Sequence, residues 1–439
     1  MLRESDSAGF HRISESIRQS HTGNSTEARL KIVSPTQGSG SVVVIRMKDV
    51  VAGRVNRVKP FLGRMMFEKA KALERKGERL THFELGEPDF ETPHHIKEAA
   101  KQALDEGLTH YTPNAGLLEL REAIAEKLRK DNKIEADAAT QICVTVGSQE
   151  AAYLAFMCTV EPGEEVLVPE PGYYTYRNCI EMAGGIPVSL PLKSENGFRL
   201  DPRDVEKKLS SRTKMLVLNS PCNPTGSIVT RSDLDVLDGL AAKNDFLVLS
   251  DEIYEKIIYD GEKHCSIAAL SDDPDRVLTV NGFSKAYAMT GWRIGYLVGS
   301  KAIISAAVKM QQSALGSATS FAQKGAVQAL RGPQEPVTEM VREFERRRNV
   351  IIDGLNKVKG FSVARPKGAF YAFADVRELG KPSTELADYL LNDAKVVTTA
   401  GVAFGQNGEG YLRISYAASI DNINEGLSSI GEAVGRLER

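Results

Sequence analysis

Val280-Asn281-Gly282-Phe283-Ser284-Lys285-Ala286-Tyr287-Ala288-Met289-Thr290-Gly291-Trp292-Arg293-Ile294-Gly295-Tyr296 is the stretch around which the chain is organised. It follows the apolar run Val277 to Val280, which reads as a strand, and it holds a hydroxyl, a lysine, the only tryptophan and an arginine. Small residues interleave them, so backbone can approach a ligand closely. Lysine condenses with carbonyls to form Schiff bases, and needs a desolvated or cationic setting to be nucleophilic at neutral pH. Ser284 and Arg293 can together hold a phosphate, arginine through its planar fork. Alone, this Ser-Lys pair is weak evidence and Lys285 reads as a solvated surface lysine. Its meaning depends on what the rest of the chain supplies.

At 439 residues the chain is long enough for two domains. An apolar content of 42% and a charged content of 26% are ordinary for a globular protein, and a net charge of −2 gives no support to nucleic-acid or membrane binding. The five cysteines lack Cys-x-x-Cys spacing, and several lie in apolar runs. They read as reduced, buried thiols of a cytoplasmic protein. No apolar run approaches the ~20 residues of a spanning helix.

Residues 1–46 are rich in Ser, Thr, Gly and Gln and lack apolar periodicity until Ser41 to Ile45. They read as a disordered tail with Met47 as the functional start; Glu4, Asp6, Glu15 and Glu27 make them too acidic for a transit peptide. Phe61, Met65, Ala72 and Leu73 suggest an amphipathic helix over 60–77, and Leu80 to Leu85 reads as a strand broken at Gly86-Glu87-Pro88-Asp89-Phe90. Pro93 opens a helix with Thr92 as its cap. From Ile142 onward strands and helices alternate, with continuous apolar strands at 142–146, 165–168, 187–190, 215–218 and 246–249. Such alternation predicts a largely parallel sheet covered on both faces, with ligands at the carboxyl ends of its strands. Long helices follow over 301–358, and then strands at 361–364, 369–373, 395–398 and 411–415 with two helices, a smaller α+β domain.

The candidate residues fall at those strand ends. Gly147-Ser148-Gln149 joins a strand to a helix, either an anion site built from free N–H groups and the helix dipole or a plain tight turn. Asn219-Ser220-Pro221-Cys222-Asn223-Pro224-Thr225-Gly226 places Asn223 on a loop stiffened by two prolines. Asp251, in Ser250-Asp251-Glu252-Ile253-Tyr254, ends a very apolar strand and needs a cationic partner, a protonated ring nitrogen or a structural lysine. Arg413, flanked by apolar residues in Tyr411-Leu412-Arg413-Ile414-Ser415-Tyr416, can clamp a carboxylate or serve a domain-interface ion pair. A Schiff-base lysine, a carboxylate for a pyridinium, phosphate donors at a helix start and a carboxylate-binding arginine are together what pyridoxal phosphate chemistry asks of a protein.

On these motifs, with Tyr111-Thr112-Pro113-Asn114-Ala115-Gly116, the chain from about Met47 onward resembles class I/II aminotransferases of fold type I, in the aspartate-aminotransferase superfamily. The resemblance implies an α/β fold in which a large domain (93–330), with a mostly parallel seven-stranded sheet between helices, is joined to a smaller α+β domain (331–439). Residues 47–92 form an N-terminal arm and part of the small domain. It implies pyridoxal 5'-phosphate as cofactor and no metal. Lys285 looks like the Schiff-base lysine, Asp251 the pyridinium partner, and Tyr254 and Asn223 the donors to the phenolic oxygen. Ser148, Ser284 and Arg293 look like phosphate ligands flanked by Gly147 and Gln149, and Tyr173 like the ring that stacks on the cofactor. Tyr111 matches a tyrosine reaching the neighbouring subunit's phosphate, which implies a homodimer with shared sites. Arg413 matches the substrate-carboxylate clamp, assisted by Asn223 and the backbone at Gly86. The implied reaction moves an amino group between an L-amino acid of the aspartate, aromatic or alanine class and a 2-oxo acid such as 2-oxoglutarate.

Three positions depart from the pattern. Gly282 stands where many members carry a second serine, Ala400-Gly401 where Pro-Gly is common, and Gln149 where some acid-specific members carry lysine. A β-lyase or an oxidase on the same scaffold shares the cofactor set. A cofactor-sensing regulator would need a DNA-binding helix-turn-helix, which residues 1–46 are too polar and glycine-rich to supply.

Overall fold

The computed structural model describes residues 51–437 except Phe61, and before them the strands Arg29–Ile32 and Val43–Arg46. The chain divides into two units, Met1–Asn56 and Arg57–Arg439. In the first, the two strands pair antiparallel with Arg29 opposite Arg46. The rest of the tail expected over 1–46 lies outside the described residues.

The second unit is built on seven strands: β1 (Ile142–Thr145), β2 (Glu165–Glu170), β3 (Ile186–Pro191), β4 (Thr213–Asn219), β5 (Leu247–Asp251), β6 (Val277–Gly282) and β7 (Gly295–Val298). Their order across the sheet is β1-β7-β6-β5-β4-β2-β3. Pairings among β2 to β6 are parallel, and β7 runs antiparallel to both of its neighbours. Side chains alternate between faces with the strand period of two. Met215 and Val217 pack on one face with Phe156 and Ile180, while Leu216 and Leu218 pack on the other with Leu234 and Leu237. Burying each such side chain contributes about 1.5–3 kcal/mol, which is why the apolar strands need helices on both sides.

After the helices Lys301–Ala314, Ser320–Arg331 and Glu335–Leu355, a three-stranded antiparallel sheet forms from β8 (Tyr371–Asp375), β9 (Thr399–Ala400) and β10 (Tyr411–Ser415), with β10 in the middle. Phe344, Ile351, Phe370, Leu412 and Ile430 form its core with the flanking helices.

Four local expectations change. The strand at Leu80 to Leu85 is only Thr81–His82, paired parallel with Val396–Val397, although Phe83 continues the bonding through Val397 O and Ser415 N. Phe361 to Ala364 is not a strand, because the Asn356 side chain takes up both the N–H and the C=O of Val363 (2.8 and 3.1 Å). Thr92 does not cap the helix His94–Asp105; its hydroxyl donates to Ala288 O at 2.6 Å. The helix Leu62–Glu74 buries Gly63, Met66 and Ala70 and leaves Met65 49% exposed, so the apolar stripe is rotated from the expected one.

Candidate active site

The carboxyl ends of β1, β4, β5 and β6 open onto one cavity of about 410 Å³. Eleven of the residues singled out by sequence line it: Gly86, Ser148, Gln149, Tyr173, Asn223, Asp251, Tyr254, Ser284, Lys285, Arg293 and Arg413. Gly147 sits directly behind it. Its φ is +77°, and a Cβ there would stand 2.6 Å from Arg293 Nη2, so glycine is what lets the guanidinium close on the helix start. Tyr111 lies outside the cavity and is fully exposed (100%).

At the end lined by Ser148, Gln149 and Arg293, the helix Gly147–Thr159 begins just after β1, and a helix start offers N–H groups without partners inside the helix. Arg293 is anchored by Nη1 donating to Thr290 O at 2.9 Å. The two glycines Gly282 and Gly295 face one another in register across β6 and β7. A Cβ on Gly282 would stand 3.0 Å from Gly295 Cα and 3.1 Å from Ile294 O, a tight fit for the serine absent from this position.

At the opposite end, Asp251 is 5% exposed. Its Oδ2 accepts the Tyr176 hydroxyl at 2.6 Å and its Oδ1 accepts Ile253 N at 3.1 Å. Burial pushes this carboxyl up to about 6, opposed by those two bonds, while the neighbouring Glu252 charge pushes further up. Asn219, the last residue of β4, donates from Nδ2 to Asp251 O (3.2 Å) and accepts Asn223 N on Oδ1 (2.8 Å), which fixes the Asn223 loop against the acid.

Lys285 is half-buried between these ends and donates from Nζ to the carbonyl of Gly86. Burial pulls its ammonium down to about 8, helped by Arg413 and Arg293 and opposed by the charges of Glu87 and Asp251. An amine near 8 is free in useful amounts at neutral pH.

Arg413, 3% exposed, donates to Asn223 Oδ1 at 3.2 Å and to Glu84 O, and its guanidinium lies over the rings of Tyr371 and Phe404 at 4.6 and 4.9 Å. Its Nε is buried with no partner among the described residues. The Tyr254 hydroxyl meets that of Tyr371 at 2.7 Å. Tyr173 packs edge-on against Tyr176, with centroids 5.5 Å apart.

Sequence reasoning passed over Tyr176, Tyr371, Thr290 and the pair Arg64 and Phe67, which reach the cavity from the helix Leu62–Glu74. Tyr176 had a local signal, lying three residues beyond Tyr173 at the start of a helix, and so on the same face. Near β5, Glu252, Glu255 and His264 bring ligand-type atoms within 4.8 Å of one another. Lys127 Nζ and Asn132 Nδ2 donate into that cluster, so protein groups answer its charge. No helix among the described residues is long and apolar enough to cross a membrane.

A half-buried lysine, a buried acid and a buried arginine around one cavity, on a sheet of this order, are the arrangement of a fold type I transferase. The chain belongs to the class I and II aminotransferases, the model of that family matching residues 78–430, and it is an enzyme that transfers amino groups. It is 43% identical over 379 residues to aromatic-amino-acid aminotransferase 2 of Thermococcus litoralis, covering 86% of this chain and 96% of that one. It is 44% identical over 379 residues to aspartate aminotransferase of Pyrococcus abyssi, with the same coverage. Among solved structures, aspartate aminotransferase from Thermus thermophilus with maleate superposes with a TM-score of 0.84 at 38% identity, covering 88% of this chain and 100% of that one.

Proposed function

We propose that this chain uses pyridoxal 5'-phosphate, anchored on Lys285, to move an amino group between an L-amino acid of the aspartate, aromatic or alanine class and a 2-oxo acid such as 2-oxoglutarate. The observation that carries the reading is Lys285 held between the buried Asp251 carboxylate and the Arg293 and Ser148 anion site, with Arg413 Nε still unpartnered beside them. The donor set fits the cofactor: Ser148, Gln149, Ser284, Arg293 and the helix start at Gly147 for a phosphate, Asp251 for a ring nitrogen, Asn223 and Tyr254 for a ring oxygen, and Tyr173 for the ring face. When bound, pyridoxal phosphate supplies an electron sink for the negative charge left at the substrate α-carbon.

The chain's own residues do the rest. Arg413 binds the substrate carboxylate by its fork, oriented by Asn223, Glu84 O and the stacked rings of Tyr371 and Phe404. Lys285 Nζ, partly free at neutral pH, takes the α-proton and returns it one step later. Asp251, ionised above about pH 6, holds positive charge at the far end of the cavity. The fully exposed Tyr111 supports a homodimer in which each copy completes the other's site, and the free cysteines support a cytoplasmic setting. The arm at 47–92, the large domain at 93–330 and the small domain at 331–439 belong to the same proposal, with the cavity between the ends of the large sheet and β10.

The test is titration of the purified protein with single amino acids, without any 2-oxo acid, while the visible absorbance of the lysine-bound cofactor is followed. Loss of that absorbance with one class of amino acid, and release of the matching 2-oxo acid, is expected. Release of ammonia and pyruvate, or uptake of oxygen, would replace transfer by a lyase or oxidase reaction. Lys285→Ala should abolish both absorbance and turnover.

A further inference from the structure

Two stretches far apart in sequence are tied together beside the cavity. Lys285 Nζ donates to the Gly86 carbonyl, the Thr290 hydroxyl donates to Glu87 Oε2 at 2.9 Å, and Trp292 Nε1 donates to Thr92 Oγ1 at 3.0 Å. Thr290 faces both ways, since its carbonyl also accepts Arg293 Nη1 at 2.9 Å. Glu87, exposed and next in sequence to the residue whose carbonyl receives the Lys285 amine, is thus bonded to the Lys285 loop.

Three acids line this cavity: Glu84, Glu87 and Asp251. Two have other partners, although Glu84 Oε2 is buried without one among the described residues. Glu84 Oε1 is bonded to His82 Nδ1 at 2.9 Å, and Asp251 takes the Tyr176 hydroxyl and Ile253 N. Glu87 accepts one neutral hydroxyl and makes no ion pair among the described residues. The cations it shares the cavity with are Arg64, Lys285, Arg293 and Arg413. Arg64 pairs with Glu68 at 3.0 Å, Arg413 already donates to Asn223 and Glu84 O, and Arg293 donates to Thr290 O. Lys285 is left, and Glu87 is the foremost charge opposing the fall of its ammonium on burial.

We infer that Glu87 is a positioning residue of the transfer reaction: fixed by Thr290, it sets a negative charge beside the Lys285 amine and holds that amine as an ammonium after it has taken up a proton. This rests on the function proposed above. The proton passes from the substrate α-carbon to Lys285 Nζ, one C–H bond breaking as one N–H bond forms, and Glu87 stays ionised throughout. Without the charge the amine is a weaker base and returns its proton more readily.

The experiment compares wild type with Glu87→Gln and Glu87→Asp. Cofactor-free protein is acetylated with acetic anhydride over a pH range, and labelling is read on the peptide that carries Lys285. The wild-type midpoint near 8 should fall by roughly half to one pH unit in Glu87→Gln, the size expected of one partly solvated charge. Glu87→Asp, which keeps the charge, should restore most of it. The acid limb of kcat, which reports the lysine released in the substrate complex, should move the same way. A merely structural role would lower activity in both variants and leave the midpoint where it was, and that result overturns the inference. The labelling is read without cofactor, so it is decided independently of whether the enzyme transfers amino groups, which the absorbance titration decides.

Discussion

Tyr176→Phe takes one hydrogen bond from Asp251 and leaves the ring in place, still edge-on to Tyr173. Two donors hold this carboxylate, the Tyr176 hydroxyl at 2.6 Å and Ile253 N at 3.1 Å, and even so burial drives it up to about 6. A hydrogen bond to a charged group contributes about 1.5–3 kcal/mol, and each pH unit corresponds to about 1.4 kcal/mol. Losing the shorter bond should therefore raise the carboxyl midpoint by roughly one to two pH units, placing it at or above neutrality. The sign for stability follows from the same shift. A carboxyl raised above its unfolded value favours the folded state most when protonated, so its contribution falls as pH rises from the ordinary carboxylate range through about 6. Tyr176→Phe carries that fall to higher pH and deepens it. The assay is infrared titration of the protonated carboxyl band in cofactor-free protein, with Asp251→Asn as the blank, beside thermal midpoints at acid and alkaline pH. An Asp251 titration unchanged by Tyr176→Phe would refute the account of how this buried acid stays ionised.

Arg413→Lys keeps the charge but gives up the planar fork and the stacking on Tyr371 and Phe404. Steady-state kinetics should show kcat/KM for the amino acid reduced roughly 100-fold, as for a truncated buried charge contact; a loss below tenfold would deny it the carboxylate. Gly147→Ala puts a methyl group 2.6 Å from Arg293 Nη2 at a φ of +77°. Calorimetric titration of inorganic phosphate into cofactor-free protein should show affinity reduced by about tenfold or more, the worth of one displaced charge-assisted bond, with the fold otherwise retained.

Sequence made the site legible where chemistry sits at the end of an apolar strand. Asp251 follows three buried residues, Lys285 follows eight, and Asn223 sits in the loop after the four buried residues 215–218, so a polar group there has to be explained by a ligand or a partner. The tyrosines that tune them were harder to read, Tyr176 having only a local signal and Tyr371 none. Tyr176 reaches Asp251 across 75 positions and Tyr371 reaches Tyr254 across 117, and both lie in apolar surroundings where an aromatic reads as core. The strand β7 was also passed over. It is four residues long, follows a glycine-rich loop and runs against the grain of the sheet, so the strand-helix alternation that revealed its neighbours carries no signal for it.

That strand explains the polarity of the cavity. Neighbouring strands lie about 4.8 Å apart, so β1 and β6, with β7 between them, are separated by roughly 10 Å. The helix start at Gly147 and the Ser284-Lys285 loop would face one another across an empty strand position were it not filled by a strand entering from the same end. Running antiparallel, β7 brings Arg293 and Gly295 to that end rather than to the far one. Gly295 has to be glycine, because a Cβ there would stand 2.4 Å from Ser148 N. On the other side of β6, the next strand ends in Asp251, opposite Val280, and the one after it in Asn219, opposite Asp251. Reading across the strand ends, anion donors occupy one side, the amine the middle and a carboxylate the other. A ligand anionic at one end and basic at the other would match them in one direction only.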